Sequence, residues 1–410
     1  MRWMFGRKKG CFYGEYRCVL SMGFSALTVS AIAALLAGVT LSSLAEFLEA
    51  LPGLIVLIPA AMAMRGNIFG AMGSRLGTAM HLGTFELSLR KGTVLRSNVE
   101  AALALTLALS FMMGLLAWGA TFVFGITAIS LTQYVFISVF GGILAGFFML
   151  VLNIVIASQG YKREWDVDNI TAPLIAAAGD IVTLPMLFLA AWLVLNTPVM
   201  LVDSLFLVFT LATVVMMHHY YVRRHKEGEA QRILTQSTPV LLICITMNIF
   251  AGLILEMELE SLIASKALLI LLPTFLNEAN GLGGILTSRL SSMLHLGLVR
   301  PERIPTRKAQ ENFFIIYVFY LGIFLLIAIL AHILAVVLGM TSPGLGNMIA
   351  IAMLAGFLTV TVLNIFAYYI AVMTYRYGLN PDDHSIPLTA SGVDLIGTVF
   401  FVFVVLALGL

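Results

Sequence analysis

Residues 57–76 read LIPAAMAMRGNIFGAMGSRL, and a related stretch, LLPTFLNEANGLGGILTSRL, follows 214 positions later at 271–290. Both stretches keep a proline at the third position, a glycine at the fourteenth and Ser-Arg-Leu at the end. Agreement at fixed positions over one constant offset indicates an internal duplication. The fold is therefore analysed in two halves.

A second block of the repeat lies further along each half, around a Pro-Leu pair and an aspartate. At the same offset of 214, Asp168 aligns with Asp382, Thr171 with Ser385, Pro173 with Pro387, and Asp180 with Asp394. Between the two blocks the best register is 211, where Leu152-Asn153-Ile154 matches Leu363-Asn364-Ile365. The two halves thus carry the same motifs in the same order.

The composition indicates a membrane protein, because 60% of residues are hydrophobic and only 11% are charged. A soluble domain needs more charge to cover its surface. Apolar runs of about 20 residues, long enough to cross a hydrocarbon core, recur along the chain. The second and eighth runs also carry Gly, Pro and Asn, so we expect them to be broken, tilted or extended beyond the bilayer. The eleven predicted spans are Val19–Leu41, Pro52–Leu82, Glu100–Phe124, Leu131–Ser158, Thr171–Leu195, Leu201–Tyr221, Pro239–Leu255, Lys266–Leu298, Phe313–Met340, Asn347–Thr374 and Ser385–Leu408.

Charge in the loops predicts the orientation. Lys and Arg fall in the N-terminal segment and in every second loop, whereas the alternate loops carry Glu and Asp. By the positive-inside rule the N-terminus is cytoplasmic and, with eleven spans, the C-terminus lies outside.

The predicted fold is an all-α integral membrane protein with two parallel five-helix repeats joined by an extra transmembrane helix, Leu201–Tyr221. The sixth span restores the orientation of the second half, so the repeats are related by an axis along the membrane normal. We divide the chain into a basic cytoplasmic N-terminus (1–18), a first repeat (19–197), a linker helix and loop (198–237) and a second repeat (238–410). We expect a monomer that acts as a pseudo-dimer, with its site on the axis. The alternative is a duplication without a shared site.

Asp180 and Asp394 are predicted to lie near the middle of the bilayer. Each sits about nine residues into its span, which is roughly 14 Å deep at about 1.5 Å per residue. A charge at that depth is expensive and requires a reason. Two facing carboxylates repel unless a cation neutralises them, and their hard oxygens suit Mg²⁺ or Ca²⁺. The alternative is that each aspartate shares a proton or caps a helix within its own half.

Further polar residues fall in the second and eighth spans. Asn67, Asn280 and Glu278 offer oxygen ligands at membrane depth, beside glycines that allow close approach. The alternative for the two asparagines is interhelical packing and hydrogen bonding.

A third set is predicted at a cytoplasmic mouth of the path. Asp168, Asp382 and Asp383 would attract cations there, with Thr171 and Ser385 beside them. The alternative is N-capping of the following helix, which Asp, Ser and Thr favour.

These motifs resemble a known family. Pro59, Gly66-Asn67, Ser74-Arg75-Leu76, Thr171-x-Pro173-Leu174 and Asp180 resemble the transmembrane domain of MgtE-type magnesium transporters. Two such domains in one chain resemble the arrangement of solute-carrier family 41. The resemblance implies that Asp180 and Asp394 lie on a central cation path. The chain departs from bacterial MgtE in having no segment that fits a soluble Mg²⁺-sensing domain, and in having Arg65 next to the path.

Together these observations predict a multi-pass protein of the plasma membrane that transports Mg²⁺, or Mn²⁺, Co²⁺ or Ca²⁺, as channel or exchanger. We expect the bilayer and the divalent cation as partners, no prosthetic group, no enzyme activity and no nucleic acid, because the net charge is only +2. One alternative is a proton-coupled transporter of another solute that uses the Asp pair as a relay. Another is a membrane-embedded lipid enzyme, although no HExxH motif occurs.

Overall fold

The computed structural model describes residues 16–163, 167–222, 228–378 and 384–410; within them, the side chains of 16–22, 162–163, 167–174, 176–177 and 221–222 are not described. The described elements are all helical, which confirms the predicted all-α class. A π-helical turn, His218–Val222, follows α7. The α-helices are α1 (Tyr16–Ser43), α2 (Ala45–Ala50), α3 (Leu54–His81), α4 (Val94–Val123), α5 (Leu131–Arg163), α6 (Val167–Asn196), α7 (Val199–Met217), α8 (Glu229–Met257), α9 (Leu259–Ala264), α10 (Lys266–His295), α11 (Arg307–Val337), α12 (Leu345–Tyr377) and α13 (Ser385–Ala407).

Eleven of the described helices are long and apolar enough to cross a bilayer, which confirms the predicted number of spans. Several helices begin before the predicted apolar run; α8, for example, begins at Glu229, ten residues before the predicted Pro239. Helical hydrogen bonding continues into polar turns, which a hydropathy pattern does not detect. The six-residue helices α2 and α9 were not predicted because they are too short for such a pattern.

The second and eighth spans, α3 and α10, are continuous, although broken helices were among the expectations. Their prolines, Pro59 and Pro273, lie near the helix starts, and the helices run on to His81 and His295. A proline in the second turn leaves only one or two helical hydrogen bonds to lose. These two helices are the most buried of the spans and form the centre of the bundle.

The two halves share their helix bounds. α3 and α10 end 214 residues apart, and α5 and α12 both begin and end 214 residues apart. The register of 211 around Asn153 and Asn364 therefore does not appear in the helix ends. One hydrogen bond also repeats: Arg75 Nε donates to Asn98 Oδ1 at 2.7 Å, and Arg289 Nε donates to Asn312 Oδ1 at 2.7 Å.

The first long helix of each half packs mainly against the other half. α1 lies along α10 and α11, and α8 lies in the same way along α3 and α4. Each exchanged helix also touches the last helix of its own half, α6 for α1 and α13 for α8. The halves are thus interlocked rather than placed side by side.

Two glycines allow these exchanged helices to cross closely. A Cβ at Gly38 of α1 would collide with the carbonyl oxygen of Ile270 in α10, and one at Gly252 of α8 would collide with the carbonyl oxygen of Val56 in α3. Both pairs are related by the offset of 214. Small residues let transmembrane helices approach to backbone contact, and here they do so at equivalent places in both halves.

The extra span, α7, lies on the outside of the bundle. It packs against α5 and α4, and most of its side chains are exposed. Large apolar residues on its outer face, such as Leu207 and Leu211, are 67% and 66% exposed. This placement fits a helix whose task is to return the chain to the starting side of the membrane.

Candidate cation site between the halves

Two aspartates lie in the middle turns of the last helix of each half. Asp180 of α6 is partly buried, and Asp394 of α13 is 6% exposed. The two carboxylates lie close enough to repel each other through space. A shared cation relieves that repulsion, and a divalent ion neutralises both charges at once.

One amide orients the aspartate of the second half. Asn280 of α10 donates from Nδ2 to Asp394 Oδ1 at 2.6 Å. The Oδ1 atom of Asn280 is buried and has no hydrogen-bond partner among the described residues, so it is available as an oxygen ligand. At the offset of 214 the first half has Gly66 in this place, so Asp180 has no equivalent amide.

A third carboxylate lies close by. Glu278 of α10 is fully buried, and its Oε1 accepts a hydrogen bond from Asn277 Nδ2 at 3.1 Å. Asn277 Nδ2 also donates to Ser30 Oγ of the exchanged helix α1 at 2.7 Å. The Oε2 atom of Glu278 has no partner among the described residues, and its charge acts on Asp180. The site therefore combines groups from both halves.

Asn67 lies apart from the aspartates. No described hydrogen bond joins it to Asp180 or Asp394, and its buried Nδ2 has no described partner. It lines a cleft of about 230 Å³ between α3, α4, α8 and α13. The other polar or proline residues of that cleft are Arg75, Ser237 and Pro387. Asn67 thus faces the junction of the two halves, one part of the path that the sequence predicts.

The predicted cytoplasmic mouth is described only in part. Asp168 and Thr171 lie in the first turns of α6, but their side chains are outside the described residues, as are Asp382 and Asp383 altogether. Ser385, the first residue of α13, is buried, and its Oγ donates to Thr374 Oγ1 of α12 at 2.7 Å. Its hydroxyl therefore holds α13 against α12.

The donor chemistry suits an ion that keeps part of its water. Among the side chains described, no three from His, Cys, Asp and Glu gather closely enough to hold one metal ion. Mg²⁺ is commonly bound through one or two carboxylates while it retains several waters. Asp180 and Asp394, with the free Asn280 oxygen, match that mode of binding rather than an all-protein cage.

The family comparison agrees with this geometry. A family model described as "MgtE: Divalent cation transporter" matches residues 58–190 and again residues 272–404. The chain belongs to the MgtE family of divalent cation transporters. Both matches begin one residue before the helical proline and run past the aspartate, so the resemblance of the two repeats to MgtE is confirmed.

Curated relatives of this MgtE-family chain belong to solute carrier family 41. Member 3 from Rattus norvegicus is 23% identical over 380 residues, covering 84% of this chain and 77% of its own length. Member 2 from Gallus gallus is 24% identical over 376 residues, covering 84% and 62%. A solved Vibrio cholerae MATE transporter covers 96% of this chain at a TM-score of 0.33 and 13% identity, too low a score to support an argument.

Sequence reasoning on this MgtE-family chain missed the supporting residues of the site. Ser30 and Asn277 hold Glu278, but no motif marks them. Arg65, considered only as a departure from the family pattern, is a fully enclosed side chain of α3 at 1% exposure. Its burial could not be read from the sequence, because nothing there shows which neighbouring helix an α3 residue faces.

Proposed function

We propose that this protein transports Mg²⁺ across the plasma membrane along the axis between its halves, with Asp180 and Asp394 holding the ion. The observation that carries the proposal is the pair of equivalent aspartates, one from each half, in the middle turns of spans and close enough to repel each other. Asn280 and Glu278 complete the site, and Asn67 lines the route toward the predicted cytoplasmic mouth.

Physical chemistry supports Mg²⁺ over softer metals. The candidate ligands are carboxylate and amide oxygens, which Mg²⁺, Ca²⁺ and Mn²⁺ prefer, whereas Cu and Zn favour nitrogen and sulfur. Family membership supports divalent cation transport in general. In this proposal the ion is cargo, the N-terminus is cytoplasmic, and one chain with two halves forms the complete path.

The test is Mg²⁺ uptake into proteoliposomes that contain a membrane-impermeant Mg²⁺ indicator. We expect saturable uptake by the wild type and a loss of at least about tenfold in Asp180→Asn and in Asp394→Asn, because each removes a charge that offsets ion desolvation. Asp203→Asn is the matched control. It makes the same change on the exposed face of α7 and should leave uptake within about twofold.

Two results would overturn the proposal. The first is uptake by Asp180→Asn/Asp394→Asn that equals the wild type, which would place the ion elsewhere. The second is a folded wild type that moves no Mg²⁺, Mn²⁺, Co²⁺ or Ca²⁺ under any gradient. If proton flux then persisted and depended on the aspartates, the proton-relay alternative would replace the present one.

A further inference from the structure

The halves differ in charge at one point in the middle of the membrane. At positions 64 and 65 the first half has Met and Arg, whereas the second half has Glu278 and Ala279 in the equivalent places. Each half thus carries one ionisable residue where the other carries none, and the two have opposite signs. Since both lie in the centre of a span, the difference is costly and calls for a physical reason.

Arg65 occupies a niche built for it. Its guanidinium lies beside Gly142 of α5, since a Cβ at that glycine would come within 2.9 Å of Nη2 and would also collide with Ser110 of α4. The hydroxyl oxygens of Ser110 and Thr106 are buried without described partners. They are therefore free to accept from the guanidinium, whose Nε and Nη1 also lack described partners.

The same space in the second half is filled by aromatic rings. The equivalents of Thr106 and Ser110 are Tyr320 and Phe324, whose ring centroids are 5.3 Å apart. Phe275 packs against Phe324 at 5.1 Å. The niche around Arg65 is therefore a replacement of a complete apolar cluster, not a chance substitution at one position.

Arg65 and Glu278 both lie next to Asp180. The Cβ of Arg65 would lie 3.8 Å from a Cβ at Gly179, the residue before Asp180. Glu278 interacts with Asp180 through its charge. In a buried region screening is weak, so these charges act on one another without direct contact.

We propose that Arg65 and Glu278 are a charge-balancing pair that sets the net charge of the intramembrane site. The ionisable Asp, Glu, Lys and Arg residues in the central turns of the described spans are Asp180, Asp394, Glu278 and Arg65. When all four are ionised their net charge is −2, which one divalent cation neutralises. Without Glu278 the site would match a monovalent ion, and without Arg65 one divalent ion would leave it negative. This inference rests on the proposed function and adds the origin of valence selectivity.

The test compares Mg²⁺ and Na⁺ uptake by the full-length chain in proteoliposomes. Glu278→Gln should lower Mg²⁺ uptake by at least about tenfold and raise the ratio of Na⁺ to Mg²⁺ uptake. Arg65→Met, which keeps an unbranched side chain, should also lower Mg²⁺ uptake by at least about tenfold. The double variant Arg65→Met/Glu278→Gln restores −2 and should return uptake to within about threefold of wild type. Arg65→Lys, which keeps the charge, is the matched control and should also stay within about threefold.

The result that overturns the pair is a double variant no faster than the slower single variant, or an Arg65→Met protein that transports like the wild type. Thermal midpoints of the four proteins in Mg²⁺-free detergent give a second readout. We expect the loss in the double variant to be smaller than the sum of the single losses. If the wild type moves no divalent ion, the proposed function fails, while additive midpoint losses would still refute the charge pair by themselves.

Discussion

The surroundings of Gly142 in the first half and of Gly356 in the second half share a backbone plan but differ in their interiors. Gly142 faces Ser110 and the guanidinium of Arg65, whereas Gly356 faces the rings of Phe324 and Tyr320. The duplicated backbone leaves space for a side chain at the same place in both halves. What fills it has diverged, so that one half keeps an apolar core and the other keeps a charge.

The largest expected effect separates these two interiors directly. Phe324→Ala should destabilise the protein by about 3–5 kcal/mol, because it opens a cavity between Phe275 and Tyr320. Its equivalent, Ser110→Ala, should change stability by less than about 1 kcal/mol, because the hydroxyl has no described partner to lose. Equilibrium unfolding in detergent measures both, and equal losses would show that the two interiors do not differ as described.

An intermediate effect is expected where the halves are alike. Gly38→Ala and Gly252→Ala each place a methyl group against a backbone carbonyl of the other half. Overpacking of this kind costs about 1–3 kcal/mol, and the two losses should agree within about 1 kcal/mol. Gly119→Ala, at a glycine of α4 with open space around it, is the control. Unfolding midpoints that differ widely between the two crossings would contradict the exchange of first helices.

The smallest effect is expected at the ends of α4 and α11. Arg96 and Glu100 form an i,i+4 ion pair at 2.6 Å, and Arg307 and Glu311 form one at 3.7 Å, all with partly or largely exposed side chains. Glu100→Gln and Glu311→Gln should each cost no more than about 0.5 kcal/mol. The difference from wild type should fall further in about 1 M salt. A loss above 1 kcal/mol at either place would mean that the pair has a role beyond its surface electrostatics.

The spans and the duplication could be predicted because they depend on signals within the sequence. Hydrophobic length marks each span, and the constant offset marks each equivalent pair. The joining of Asn280 to Asp394 could be predicted only as membership of one site, because the two residues were named without a contact between them. The exchange of α1 and α8 could not be predicted, since hydropathy does not specify which helix is the neighbour of another. Gly38 and Gly252 are aligned at the offset of 214, and that pair was the one available signal.

The position of Arg65 shows a second limit. Arg65 and Asn67 are two residues apart, so at about 100° per residue they face nearly opposite sides of α3. The sequence placed both at one depth and suggested a conflict between a cation path and a positive charge. In the structure Asn67 faces the junction with α8 and α13, while Arg65 points between α4 and α5. Depth is encoded by counting along the span, but direction depends on packing.

The exchange of first helices has a consequence for how the protein is made. α1 leaves the ribosome more than 200 residues before its main neighbour, α10. At about 5–20 residues per second, α1 waits in the bilayer for roughly ten to forty-five seconds before α10 is synthesised. During that time the face around Gly38 has only lipid or a chaperone to cover it. Assembly of the central path is therefore a late step of biogenesis, completed only when the second half has been inserted.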